Sequence, residues 1–122
     1  MGAETTELVA DVEKKVKAAQ KPITAMGKAW QKLKSPSTQE IFDFKNDHIN
    51  VPIRPMNAAK KSIDALHKKI KKKDLLNMFK KQKSLATTKK KYENSVKEYN
   101  GMVKIYNVIS KATNHDHTFD PV

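Results

Sequence analysis

Thirteen lysines fall between residues 60 and 91, against only Asp64 and Asp74, and no glycine or proline interrupts them. This stretch carries +11 of the chain's formal +12. Ile63, Leu66, Ile70, Leu75, Leu76, Phe79 and Leu85 lie among the lysines, so the stretch reads as one long amphipathic helix with an apolar side and a cationic face. A cap at Asp74 or at Thr87-Thr88 would divide it. With so few acids at hand, like charges repel along the helix and few i,i+4 pairs form, so the face calls for an anionic partner.

The apolar rhythm elsewhere is also helical. Leu8, Val12, Val16, Ala19, Ile23, Met26, Trp30 and Leu33 recur every three or four residues. They predict a first helix over residues 5–34, kinked at Pro22, with acids at its start and Trp30 in its seam. Ser35-Pro36-Ser37 interrupts, and Ser37-Thr38-Gln39-Glu40 has the form of a capping box that starts a second helix near Thr38. Its apolar side continues through residues 41–70, and Pro52 and Pro55 are expected to kink it without breaking it. His48 and His67 fall on or beside that side and read as structural. Tyr92, Val96, Tyr99, Val103 and Tyr106 then form a heptad seam whose tyrosines bury their rings and send their hydroxyls to water. Three helices of about 31 to 38 residues result, ending near residues 111–114. The expected fold is all-α, an antiparallel bundle or coiled coil of long kinked helices. A second copy would cover the exposed seam in a homodimer. Residues 1–113 form the single helical domain and residues 114–122 a flexible tail.

Composition excludes several functions. With no cysteine there is no disulfide scaffold, thiolate metal site or cysteine nucleophile, and no apolar run approaches the ~20 residues that cross a bilayer. Glycine-rich phosphate loops and hydrolase motifs are missing, so no enzyme activity, cofactor or small-molecule substrate is expected. His115-Asp116-His117 offers too few ligands for a specific metal site, and the terminal Val122 is too little to imply a carboxylate-binding partner. Met1-Gly2-Ala3-Glu4-Thr5-Thr6 matches the myristoylation form and makes Gly2 a candidate for acylation, although Glu4 and Glu7 would oppose anionic lipid. The basic residues are 24 lysines and the single Arg54, a balance suited to diffuse attraction to phosphates or headgroups and not to reading bases.

The stretch Lys60-Lys61-Ser62-Ile63-Asp64-Ala65-Leu66-His67-Lys68-Lys69-Ile70-Lys71-Lys72-Lys73-Asp74 follows a heptad-like helix and the prolines of residues 42–56. Lys89-Lys90-Lys91-Tyr92-Glu93-Asn94 then leads into Tyr99-Asn100. Over residues 8–110 this order resembles a short or divergent member of the BAR (Bin/Amphiphysin/Rvs) superfamily. The resemblance implies a homodimeric curved module whose basic face binds phosphatidylserine or phosphoinositide headgroups. A full module is longer, and the acidic N-terminus lacks the basic insertion helix of some members. The candidate lipid-binding residues are Lys60, Lys61, Lys68, Lys69, Lys71, Lys72, Lys73, Lys80, Lys81, Lys83, Lys89, Lys90 and Lys91. The expected function is peripheral binding of anionic membrane in the cytoplasm, with membrane shaping or scaffolding as the output. The alternative is a sequence-nonspecific nucleic-acid-binding helical protein using the same lysines on phosphates.

Overall fold

In the computed structural model, which describes residues 2–122, every regular element is helical: α1 Gly2–Lys32, α2 Thr38–Phe44, α3 Ile53–Lys69, α4 Lys72–Lys81 and α5 Ala86–Ala112. A π turn, Lys45–Ile49, follows α2, and a 3-10 turn, Lys83–Leu85, precedes α5. Helix α1 packs along both α3 and α5. Its buried stripe is Thr5, Val9, Val12, Val16, Ala19, Ile23 and Met26, a strict alternation of four and three residues that keeps one narrow side facing inward. Val9 takes the inward place expected of Leu8, which is only partly buried. The helix runs unbroken through Pro22.

Cross-links between helices give their directions. Asp11 accepts from Ser62 at 2.6 Å and Glu4 lies 3.8 Å from Lys69, so α3 runs antiparallel to α1. The Thr6 and Thr88 hydroxyls meet at 3.2 Å, which sets the start of α5 beside the start of α1. His67 meets Tyr92, and the Tyr106 hydroxyl donates to the Ile49 carbonyl at 3.1 Å, so α3 and α5 are also antiparallel.

The second long helix is not continuous. The capping box forms as expected, with Glu40 N–H donating to Ser37 Oγ and Ser37 N–H to Glu40 Oε1. Yet α2 ends at Phe44, and the chain turns through residues 45–52 before α3 begins. Pro52 is the N-cap of α3 and Pro55 sits in its first turn, where backbone N–H groups have no partner within the helix. The two prolines therefore start a helix and do not kink one.

The lysine-rich stretch is broken twice as well, at Ile70-Lys71 and again at Gln82, both in extended or non-helical backbone. The apolar residues Leu66, Ile70, Leu75, Phe79 and Leu85 explain the breaks. Intervals of five and six residues would rotate them off a common side of one helix, and each break turns the next one back. Leu75, Phe79 and Leu85 are all buried as a result. The three principal helices span 31, 17 and 27 residues, shorter in the middle than expected.

The inward side of α5 is Thr88, Tyr92, Ser95, Tyr99, Met102, Tyr106, Ile109 and Thr113, again alternating four and three. The tyrosine rings are buried as the heptad predicts, but their hydroxyls do not reach water. Tyr92 bonds to His67 and Tyr106 to the Ile49 carbonyl, while the Tyr99 hydroxyl is buried without a protein partner. Burial pushes the Tyr99 and Tyr106 hydroxyls up to about 12, with Asp64 and Asp120 adding to the effect at Tyr99.

The terminal segment, expected to fray, is laid back along α5. Asn107 accepts from Phe119 N–H at 2.9 Å and donates to its carbonyl at 2.8 Å, and Asn100 makes the same pair of bonds to Val122 at 2.8 and 2.9 Å. Seven residues of helix rise about 10 Å, the length of three extended residues, so asparagines one heptad apart match backbone positions three apart. Phe119 is buried against Tyr106, ring centroids 5.0 Å apart. Asn114 leaves α5 with a left-handed φ of 55°, a conformation asparagine tolerates.

Two contrasts test this core. Tyr106→Phe removes a satisfied hydrogen bond and should cost about 1 kcal/mol in urea unfolding, whereas Tyr99→Phe removes a partnerless hydroxyl and should be neutral or stabilising. Equal losses for the two would contradict the placement of these hydroxyls. Asn107→Ala should speed amide exchange in residues 117–122 while leaving exchange in α1 unchanged.

Candidate polyanion-binding face

Twelve of the thirteen candidate lysines are exposed, and Lys60 is partly covered. Lys60, Lys61, Lys68 and Lys69 stand on α3, Lys71 in the connection, and Lys72, Lys73, Lys80 and Lys81 on α4. Lys83 is on the 3-10 turn, and Lys89, Lys90 and Lys91 are on the opening turns of α5. Because α3 and α5 are antiparallel and α4 connects them, the lysines from Lys68 onward gather at one end of the molecule, where α1 also begins. Lys60 and Lys61 do not join them. They lie about 12 Å back along α3, and Lys60 is engaged with Asp64 at 3.5 Å.

Among the described residues, ion pairs within 4 Å are limited to Lys60–Asp64 and Lys69–Glu4. Both are exposed pairs of small energetic weight. Of the lysines gathered at this end, only Lys69 is therefore paired with an acid, and the rest of the charge is held there by helix geometry. Helix α4 even begins with Lys72 and Lys73, where its own dipole disfavours cations, and Asp74 in the same turn offsets this only in part. The lysines at the end of α3, in contrast, suit the dipole there.

Beneath the lysines lies a polar contact that ties two helices together. His67 Nε2 and the Tyr92 hydroxyl share a 2.7 Å hydrogen bond, and Phe79 of α4 packs on the Tyr92 ring at 5.7 Å. Burial lowers the His67 pKa, the Lys72 charge lowers it further, and Asp64 opposes both. Burial raises that of Tyr92. His48 rests against Phe44, whose ring is tilted against that of the half-buried Trp30.

Within the lysine-rich stretch, Leu76 is placed differently from what the sequence predicts. Expected on the apolar side, it is 46% exposed, while its neighbour Leu75 is fully buried. Lys72, Lys73 and Lys80 are four residues before, three before and four after it, so all three share its side of α4. The signal was present in the adjacent leucines, since consecutive helical residues point about 100° apart and a narrow stripe buries only one of them. Outside the candidate stretch, Lys17, Lys21 and Lys28 line a shallow groove on the outer side of α1.

Other expected features fall elsewhere. Met1 lies outside the described residues, and Gly2 is placed only as the first residue of α1. His115 and His117 sit beside Lys45, whose charge helps burial lower the His115 pKa, and such a cation opposes metal binding. No group of three or more potential metal ligands comes together among the described residues. No helix there is long and apolar enough to cross a membrane.

No family model, curated protein or solved structure matches this chain.

His67 and His115 are both held below the ordinary imidazole pKa, chiefly by burial. Their contribution to stability is complete above about pH 6.5, the ordinary imidazole value, and is lost as pH falls through the lower folded values. The urea midpoint should therefore fall between about pH 7.5 and 5, and His67→Gln should remove part of that slope. A midpoint that rises on acidification would contradict the described environments.

Proposed function

We propose that this chain binds anionic membrane surfaces peripherally through the lysine-rich end formed by the close of α3, by α4 and by the start of α5. The observation that carries this reading is Leu76, an exposed apolar side chain among Lys72, Lys73 and Lys80. Lysines over an apolar residue match the interface of a bilayer, where headgroup phosphates lie above acyl chains. A nucleic-acid backbone would use the lysines and leave the leucine without a role. The buried tyrosines also supply no rings for base stacking.

At about 1 kcal/mol for each lysine close to an anionic surface, five or six engaged lysines give useful affinity that high salt removes. The BAR resemblance makes a homodimer the form that would scaffold or shape a membrane. The breaks within residues 60–91 gather the charge into a compact end, an arrangement that favours docking onto a surface over lining a long curved one.

Sedimentation with phosphatidylserine vesicles tests the reading. Replacing Lys68, Lys72, Lys73 and Lys80 together with glutamine should abolish pelleting while the helical circular dichroism is kept. Leu76→Ser should lower vesicle partition about tenfold, the equivalent of roughly 1.4 kcal/mol, and leave binding to duplex DNA unchanged. Full pelleting of the quadruple variant, or loss of the native protein from vesicles to added DNA, would overturn the proposal in favour of another partner.

A further inference from the structure

One concavity at the lysine-rich end differs from the rest of that surface. Between the end of α4, the 3-10 turn and the first turns of α5 lies an open pocket of about 540 Å³. Lys80, Lys83, Lys89 and Lys90 line it, with the buried Phe79 at its base and Glu93 as its one acid. These lysines come from three successive elements, α4, the 3-10 turn and α5, and line one concavity. By comparison, Lys17, Lys21 and Lys28 stand in a row along the single helix α1.

None of the four lysines takes part in an ion pair within 4 Å among the described residues. The lining thus holds four positive charges against one negative. A surface built only for solubility has no need to enclose like charges, because separating them lowers the repulsion. The first turns of α5, which start without a side-chain cap, form one wall of the pocket, and the positive end of the helix dipole lies in those turns.

We infer that this corner is a discrete binding site for a compact ligand bearing two or more neighbouring phosphates, such as a multiply phosphorylated polyol. Four flexible ammonium groups match phosphates held a few ångströms apart, since each lysine donates to a separate oxygen without the planar register arginine would impose. A pocket of this volume admits a phosphorylated six-carbon ring and excludes a duplex. The ligand chemistry is shared by a lipid headgroup and by a free polyol phosphate. The inference rests on the anionic-surface reading of the same end and goes beyond it by separating one saturable pocket from the diffuse attraction around it.

The experiment uses inositol hexakisphosphate as a soluble probe in calorimetric titration of the full chain. Two double variants of equal charge loss are compared: Lys83→Gln with Lys89→Gln inside the pocket, and Lys68→Gln with Lys71→Gln outside it. The native protein should bind one equivalent. The inner pair should weaken binding by at least about tenfold, and the outer pair by no more than about threefold. Circular dichroism shows that both variants keep their helices, and Lys83→Arg with Lys89→Arg should retain binding if charge at these positions is what matters. Equal losses for the two pairs, or binding of several equivalents with no saturation, would overturn the pocket.

Vesicles distinguish the sources. Preference for phosphatidylinositol 4,5-bisphosphate over phosphatidylserine at matched charge, lost in the inner variant, assigns the ligand to a lipid headgroup. Probe binding without that preference assigns it to a soluble compound. Should the native protein take up the probe at one site yet fail to pellet with any anionic vesicle, the pocket stands and the membrane reading falls.

Discussion

The inward stripe of α1, from Thr5 to Met26 in alternating steps of four and three, is the surface on which the other two long helices are assembled. Each fully buried aliphatic side chain there contributes roughly 1.5 to 3 kcal/mol. The small residue Ala19 and the three valines keep the stripe narrow, and the large residues come from opposite, as Tyr99 and Tyr106 of α5 and Met56, Ile63 and Leu66 of α3. Pairing small with large across a seam fills the interior without strain. Two polar links, His67 with Tyr92 and Tyr106 with the Ile49 carbonyl, then fix the register of α3 and of the turn before it against α5.

That assembly determines where the charge goes. The core needs Leu75, Phe79 and Leu85, and it can receive them only if the chain bends twice between α3 and α5. Bending folds a linear run of lysines into a crowded end, where Lys68 through Lys91 lie near the start of α1. Local repulsion is the cost of this arrangement. Glu4 and Asp74 relieve a little of it, and an anionic surface placed against the end would relieve much more. Stability and the proposed binding thus share one cause, the need to bury three apolar residues among thirteen lysines.

Much of this was legible beforehand. The helical class, the seam of α1, the capping box at Ser37 and the burial of all three tyrosines follow from periodicities of three and four and from local hydrogen-bonding chemistry. The breaks at Ile70 and Gln82 were harder, because no glycine or proline marks them, and only the five- and six-residue intervals between apolar residues disclose them. Pro52 and Pro55 are compatible with a kink or with a new first turn, and tertiary packing decides between the two. The tail was misread because Asn100 and Asn107 look like ordinary polar positions until an extended strand is laid beside them. Among the site residues, the exposure of the lysines was evident, whereas their convergence on one end and the isolation of Leu76 depend on chain directions that one sequence does not display.

The proposed membrane contact is confined to one end of the molecule. Hydrogen exchange of the protein on phosphatidylserine vesicles, compared with the free protein, addresses it residue by residue. New protection is expected only in residues 68–91 and the start of α1, with α5 beyond residue 100 and the terminal segment unchanged. Protection centred on the outer side of α1 or on the α5 end that carries the terminal segment, or no change on vesicles at all, would contradict it.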